Sequence, residues 1–388
     1  MVESTVLVTG ARGFLGRNLC VFLRQLQNVK LIEVDIDSPP EMLETGLRTA
    51  NVLFHLAGVN RPENVKDYVS GNTGFTQFLC GYLQNLGKTP AIIFSSSIQA
   101  ELENPYGISK RRAEEELLRF AKNSGANIFI FRIKNIFGKW CRPNYNSVVA
   151  TFCHNIARDL PISISDREKE LNLVYVDDVC AAMIEAAGLS AAPSKHFTRS
   201  ANFGYAEIAP DFKITLGTLV DTLYGFRGHR NSLQIPVSND PFVLRIYATY
   251  LSYLEGIDFG YKLGIKKDSR GSLAEFLKSP CFGQIFISRT KPGITRGNHY
   301  HHTKTEKFLV VQGKALIRFR HIQSDEIIEH SVSGDEFRVV DIPPGYTHSI
   351  ENVGNEELVT LFWANEIFDQ EYPDTYYEEV LKTPGEKS

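Results

Sequence analysis

In the first half of the chain, short apolar blocks end in glycine or serine turns, and helical stripes follow them. Val6-Leu7-Val8 stops at Thr9-Gly10, and Leu19, Phe22, Leu23 and Leu26 then recur at helical spacing. Leu31 to Val34, Val52 to Ala57 and Ala91 to Phe94 read as further buried strands. A charged amphipathic helix, RRAEEELLRFAKNSG, stops at Gly125. Beyond Ser232 the texture changes. Leu244, Tyr247, Leu251 and Leu254 predict a linker helix over 244–260, packed between domains along that apolar face. Short alternating strands separated by Gly, Pro, Asp and Ser follow, as in Gln284–Ser288, Lys307–Val311 and Lys314–Arg320. The pattern predicts a wound α/β domain over 1–243 and an all-β barrel over 261–372. A tail over 373–388 is expected to end in the disordered stretch KTPGEKS.

Composition narrows the class. With 388 residues, 43% hydrophobic and 22% charged, the chain is an ordinary globular protein with room for two cores. A net charge of −3 gives no pull toward nucleic acid or membrane. Six scattered cysteines without a C-x-x-C pair suggest reduced thiols. The N-terminus lacks the charge and apolar pattern of a signal peptide, and no apolar run reaches the roughly 18 residues of a spanning helix. A cytoplasmic protein is expected.

Candidate chemistry begins at the first turn. Gly10, Gly13 and Gly16 are three apart, between a strand and a helix. Such glycines allow a tight turn and close backbone approach to a pyrophosphate, while the helix N-terminus offers amide hydrogens. Arg12, Phe14 and Leu15 belong to the same turn, and Ala57 ends the strand beside it. Asp35, at the end of the second strand, is placed to grip a ribose diol and argues for NAD; Arg12 could instead pair with the 2′-phosphate of NADP. Tyr106 and Lys110 are four apart on one helix face, where an ammonium would lower the phenol's pKa and make it a proton donor near neutrality. Ser97, or alternatively Ser96, is placed at a strand end to bond the same substrate oxygen. Alone, Tyr-x-x-x-Lys is a common coincidence; after the glycine turn and the Ser95-Ser96-Ser97 strand end it is a constellation.

The second half carries a different set. His299 and His301 are two apart on a strand and point to one face. Glu306 on the next strand and His348 on a later one can converge with them on a divalent metal. The ligand types suit zinc, iron, nickel or manganese, with zinc the expected ion.

These motifs resemble known families. Residues 4–240 resemble the extended short-chain dehydrogenases/reductases through G-x-x-G-x-x-G, the serine strand end, Tyr106-x-x-x-Lys110 and Arg132-x-x-Asn135-x-Phe137-Gly138. The resemblance implies a Rossmann-like fold with Ser97, Tyr106 and Lys110 as catalytic residues. Ile128 to Phe131 and Leu173 to Val176 resemble that family's next and late strands, with Asp178 the implied N-cap of the helix that follows, and Lys139 stands where a proline is common in the family. The region 141–173, with Asn144, Tyr145, Asn146, Arg158 and Arg167, would face the sugar nucleotide. Gly293-x5-His299-x-His301-x4-Glu306-x6-Gly313 and Pro343-x-Gly345-x-x-His348 resemble the two motifs of the cupin barrel. Asp268-Ser-Arg270-Gly271 resembles the sugar-nucleotide epimerase cupins.

A reductase joined to such a barrel resembles the bifunctional epimerase/reductases of capsular and O-antigen polysaccharide synthesis, in the UDP-N-acetyl-L-fucosamine pathway. The resemblance implies epimerisation of a UDP-4-keto-6-deoxy-HexNAc at C3 and reduction at C4 to a UDP-2-acetamido-2,6-dideoxy-talose. NADP(H) is slightly favoured and NAD(H) is the alternative. Acid/base candidates at C3 are His302, Tyr300, Lys307 and Tyr346, with His302 carried as the assignment. A homodimer is the default expectation. The rival readings are a reductase with a structural or dimerising barrel, and a non-enzymatic sugar-nucleotide sensor; the intact Ser/Tyr/Lys set speaks against the second.

Overall fold

The computed structural model describes residues 3–190, 195–200, 203–235, 240–259, 261 and 263–382. It divides into two compact units, residues 1–223 with 245–254, and residues 224–244 with 255–388.

In the first unit, β1 (Ser4–Thr9), α1 (Phe14–Arg24), β2 (Val29–Val34), α2 (Pro40–Thr49) and β3 (Val52–His55) alternate. A short α3 (Lys66–Tyr68) and a π-helical turn, Val69–Gly74, lead into α4 (Phe75–Leu86). Then come β4 (Ala91–Ser97), α5 (Pro105–Ser124), β5 (Ile128–Ile133), β6 (Asn135–Phe137), α6 (Val148–Ala157), β7 (Glu170–Tyr175) and α7 (Val176–Ala186). β8 (Phe197–Arg199), β9 (Tyr205–Ile208) and β10 (Phe212–Thr215) complete the strands. The main sheet runs β2-β1-β3-β4-β5-β9-β8, parallel except for β8. Val6 and Val8 face α1 and α7, whereas Leu7 faces the side of α2, α4 and α5. Both faces are covered, which is why these strands read as unbroken apolar runs.

Helix α8 (Leu216–Ser232) crosses the division between the units, and α9 follows as Pro241–Leu251. The helix predicted over 244–260 is therefore shorter, and residues 245–254 group with the first unit. Its buried face is also rotated: Phe242, Ile246, Thr249, Tyr250 and Tyr253 are buried, while Leu244 and Leu251 are exposed. The physical reason is polar. Arg245 donates to both oxygens of buried Asp178 at 2.7 and 3.1 Å, and Tyr253 hydroxyl donates to the carbonyl of Cys141 at 2.6 Å. Asp178 accordingly lies in the first turn of α7 as a partner of Arg245, not at the N-cap, which is Tyr175.

The second unit is strand-rich. β11 (Ile265–Asp268), β12 (Gly271–Ser279), β13 (Gly283–Thr290), β14 (Thr295–Tyr300), β15 (Glu306–Gln312) and β16 (Lys314–His321) come first. β17 (Ile327–Ser333), β18 (Val339–Ile342), β19 (Tyr346–Asn352), β20 (Leu358–Ala364) and β21 (Tyr376–Tyr377) follow. They form two antiparallel sheets, β11-β12-β13-β20-β15-β18 and β17-β16-β19-β14-β21. Alternate residues of both, including Phe308, Val310, Ile317, Phe319, Ile350 and Phe362, make one core. The segment from 373 is not a tail as far as it is described: β21 pairs with β14, and Val380 is fully buried. Residues 383–388, where disorder was expected, lie outside the described residues. No described helix is long and apolar enough to cross a membrane.

Candidate functional site

The first site is built where β1, β3 and β4 end. Gly10 has φ +72°, and a Cβ there would lie 2.7 Å from Ala57 N. A Cβ at Gly16 would lie 2.1 Å from Gly10 O, so α1 can approach the turn only with glycine at that position. Gly13 caps α1 without a side-chain hydrogen bond, leaving the first amides, from Phe14 and Leu15 on, free of a capping side chain. Asp35 accepts the Arg12 backbone N–H at 2.7 Å, which sets a carboxylate against the turn. The Arg12 side chain pairs with Asp37.

Strand alternation decides between the serines. Ser96 is buried and donates to Glu114, which also takes Arg132 and the Tyr205 hydroxyl. Ser97 takes no part in that network: its hydroxyl accepts Gln99 N at 3.2 Å and stands near enough to Tyr106 to influence the phenol. Ser97, not Ser96, joins the constellation. Burial raises the Tyr106 pKa, and the neighbouring Ser97 offsets this in part. The expected lowering by Lys110 is corrected, because the Lys110 ammonium donates to Ser95 O at 2.6 Å and sits 4.2 Å from the Phe94 ring centroid. Burial brings Lys110 itself down to about 7, against the pull of Glu114.

Three buried residues that sequence reasoning passed over, His55, Asn72 and Thr76, tie the turn to α5. Thr76 hydroxyl donates to Asn72 O at 2.8 Å, so at 2.9 Å it must accept from His55 Nε2. His55 Nδ1 then accepts from Thr9 hydroxyl at 3.0 Å. Burial, and next the charge of Lys110, hold His55 neutral, with its pKa lowered to about 3. The Asn72 amide grips Val59 on both sides and donates to Ser109 Oγ at 2.9 Å, and Ser109 donates to Tyr106 O at 2.7 Å. The available signal was a polar pair, Asn72 and Thr76, heading the buried stripe of Leu79 and Leu83.

In the region expected to face a sugar nucleotide, Arg158 donates to backbone carbonyls and Arg167 pairs with Asp221. Arg61 and Arg142 instead lie over the Tyr145 ring at 5.8 and 5.2 Å, and Tyr145 hydroxyl reaches Asn60 at 3.2 Å. Lys139 pairs with Asp177, so the turn forms without the proline.

The second site gathers His299 (β14), His301 just after it, Glu306 (β15) and His348 (β19). One donor atom from each lies within 4.8 Å of the others. A bulge at Gly297, where φ is +96°, shifts the register so that His299 pairs with His348. His301 Nε2 and His348 Nε2 stand 3.4 and 3.5 Å from Glu306 Oε2, too far apart to count as well-formed bonds, and both nitrogens are buried without a partner. Burial raises the Glu306 pKa, but the facing His301 and His348 outweigh it and hold the group at about 2. Burial, then His348 and His301, lower His299 to about 4. An ionised carboxylate ringed by three imidazoles, with the partnerless Nε2 atoms of His301 and His348 buried beside it, fits a divalent cation.

His302 is not brought to this cluster. Strand alternation turns Tyr300 away, and His302 is exposed beyond the strand end with Tyr300 and Tyr376, at 5.4 and 4.8 Å between rings. Lys307 also faces outward, paired with Asp341. Tyr346, two residues before His348, lies on the cluster's face of β19, its ring 5.0 Å from that of His321.

Residues 6–197 match the NAD dependent epimerase/dehydratase family, and residues 266–376 match the polysaccharide biosynthesis C-terminal domain. The UDP-2-acetamido-2,6-β-L-arabino-hexul-4-ose reductase of Pseudomonas aeruginosa is 42% identical, over 96% of this chain and 97% of that one. The crystal structure of the capsular polysaccharide assembling protein CapF from Staphylococcus aureus is 47% identical, with TM-score 0.89, covering 97% of this chain and 100% of that one. A UDP-glucuronic acid 4-epimerase from Bacillus cereus, in complex with NAD, shares the fold alone at 18% identity and TM-score 0.53, over 64% of this chain and 96% of that one. With this identity to both relatives over almost its whole length, the chain belongs to the UDP-sugar 4-ketoreductase family of capsular polysaccharide biosynthesis.

Proposed function

We propose that the chain carries out two consecutive steps on a nucleotide sugar. The C-terminal unit, read as a cupin, inverts C3 of a UDP-4-keto-6-deoxy-HexNAc. The N-terminal unit then reduces C4 to a UDP-2-acetamido-2,6-dideoxy-talose for capsule or O-antigen synthesis. The observation that carries this reading is the presence in one chain of the Ser97–Tyr106–Lys110 centre and a buried cluster of three imidazoles and a carboxylate.

In the reductase, a nicotinamide held at the Gly10–Gly16 turn would supply the hydride to C4. Tyr106 gives the proton to the C4 oxygen, and burial, by keeping the phenol protonated, suits it to that role. Ser97 bonds the same oxygen and Lys110 stands one helical turn behind. Gly10, Arg12, Gly13, Phe14, Leu15, Gly16, Asp35 and Ala57 would hold the cofactor. NADPH is slightly favoured on Arg12, which would exchange Asp37 for the 2′-phosphate. Arg61 and Arg142, on either contact of Tyr145, are the cations we assign to the diphosphate.

In the epimerase, the 4-keto group acidifies the C3 proton. A divalent metal, zinc by choice, held by His299, His301, Glu306 and His348, would supply the positive charge that stabilises the developing oxyanion. Tyr346, supported by His321, takes over from His302 as the acid/base candidate, because it lies on the cluster's face. A cytoplasmic homodimer acting on soluble nucleotide sugar, without nucleic-acid or membrane partners, completes the proposal.

The test is proton NMR in deuterated water with the 4-keto sugar nucleotide and no nicotinamide, using the intact protein and Tyr106→Phe. Deuterium entering C3 in both is expected. No exchange, with reduction still seen once cofactor is added, would leave the second unit a structural or dimerising module. Comparing NADPH with NADH in the same tube settles the cofactor.

A further inference from the structure

Residues 373–380, expected to begin a tail, reach the surroundings of three of the four cluster residues. His301 Nδ1 lies 2.6 Å from the Asp374 carbonyl, which can only accept, so Nδ1 carries a proton and Nε2 is the nitrogen turned toward Glu306. The Asp374 carboxylate accepts the N–H groups of His302, Thr303 and Lys304 at 3.0, 2.9 and 2.8 Å, fixing the loop just after His301. Tyr377 and Tyr376 pair with His299 and Tyr300, and Glu378 N donates to Asn298 O at 2.9 Å. Next to His348, the fully buried Thr347 donates to Glu378 O. Arg320, equally buried on the strand beside it, donates to Val380 O, Glu379 O and the Glu378 carboxylate. These contacts use the faces of β16 and β19 opposite the core.

We infer that residues 373–380 form a strap that positions His299, His301 and His348 for metal, with Asp374 the positioning residue for His301. The inference rests on the metal-site reading above. Nothing in the strap supplies a donor atom to the ion; it fixes ring orientation and tautomer from outside, as partners of ligating histidines do.

The experiment is zinc titration of the full chain against a competing chelator, with thermal unfolding of each protein in the metal-free state. Asp374→Ala should weaken zinc binding roughly 10- to 100-fold. Asp374→Asn, which keeps one acceptor for the loop amides, should recover part of that loss. Thr347→Val, nearly isosteric, should weaken zinc several-fold by loosening the strap beside His348. Lys382→Ala, which removes only the pair with Asp325 beyond the strap, should bind as the native chain does. Native-like zinc affinity in both Asp374→Ala and Thr347→Val would overturn the strap alone. So would a loss fully accounted for by a lower melting point of the metal-free protein. A native chain that binds no divalent metal would overturn the metal-site reading and the strap with it.

Discussion

The two centres handle buried charge in opposite ways. In the first unit, Lys110 is buried with one carbonyl and an aromatic ring for company, and burial drives it toward the neutral form. In the second, Glu306 is buried among imidazoles and is driven toward the charged form. The first arrangement suits passing a proton, because the energy gap between its two forms is small near neutrality. The second suits holding a cation, because donor atoms of all four residues converge and the His301 ring donates away from them, to the Asp374 carbonyl. The supports differ as well. Tyr106 and Lys110 share one helix, whereas the cluster draws on three strands and the strap.

The sharpest break of this contrast is Tyr106→Phe. It should lower 4-keto reduction by roughly 10²- to 10⁴-fold, followed as cofactor oxidation, and leave C3 exchange unchanged. Next is the pH dependence of folding. The Lys110 pKa falls from 10.5 to about 7 on folding, so the unfolded chain binds more protons between those values. Its penalty is full below pH 7 and is relieved as pH rises toward 10.5. Lys110→Met should therefore stabilise the protein at pH 6, by on the order of a few kcal/mol, and flatten the rise toward pH 9 in denaturant titrations. Glu306→Gln should weaken zinc on the order of 100-fold, one ligand's share of a binding energy of about 10 kcal/mol. Reduction of an already epimerised 4-keto sugar should survive that change.

Smaller effects probe the supports. His55→Phe strands the Thr9 hydroxyl and should lower the stability of the first unit by about 1–3 kcal/mol, whereas His55→Gln should restore part of it. Raised KM for the nicotinamide in His55→Phe would place the loss at the turn. Asp37→Asn frees Arg12 and should shift preference toward NADPH by only about two- to fivefold, the worth of an exposed pair. An unchanged NADPH/NADH ratio would remove Arg12 from cofactor selection.

Much of this was legible in the chain because local spacing carried it. The glycine turn, Tyr106-x-x-x-Lys110 and His299-x-His301 each sit within one element, where a period of 3.6 or 2 fixes which side chains share a face. The same rule, applied to Ser95-Ser96-Ser97, leaves two options until something says which face is which. Glu114, which takes the Ser96 hydroxyl, makes that choice. His302 was misplaced because the strand ends at Tyr300 and the loop, pinned by Asp374, turns it outward.

The sequence by itself determined the two chemistries, since residue type and short spacing name a phenol–amine pair and an imidazole–carboxylate set. Only the tertiary structure decided their surroundings. It placed His55 and Asn72 beneath the first centre, turned α9 to serve Asp178, and wrapped residues 373–380 around the second. Those partners are tens of residues apart, and a buried polar group accepts whichever distant neighbour satisfies it; no local period records that choice.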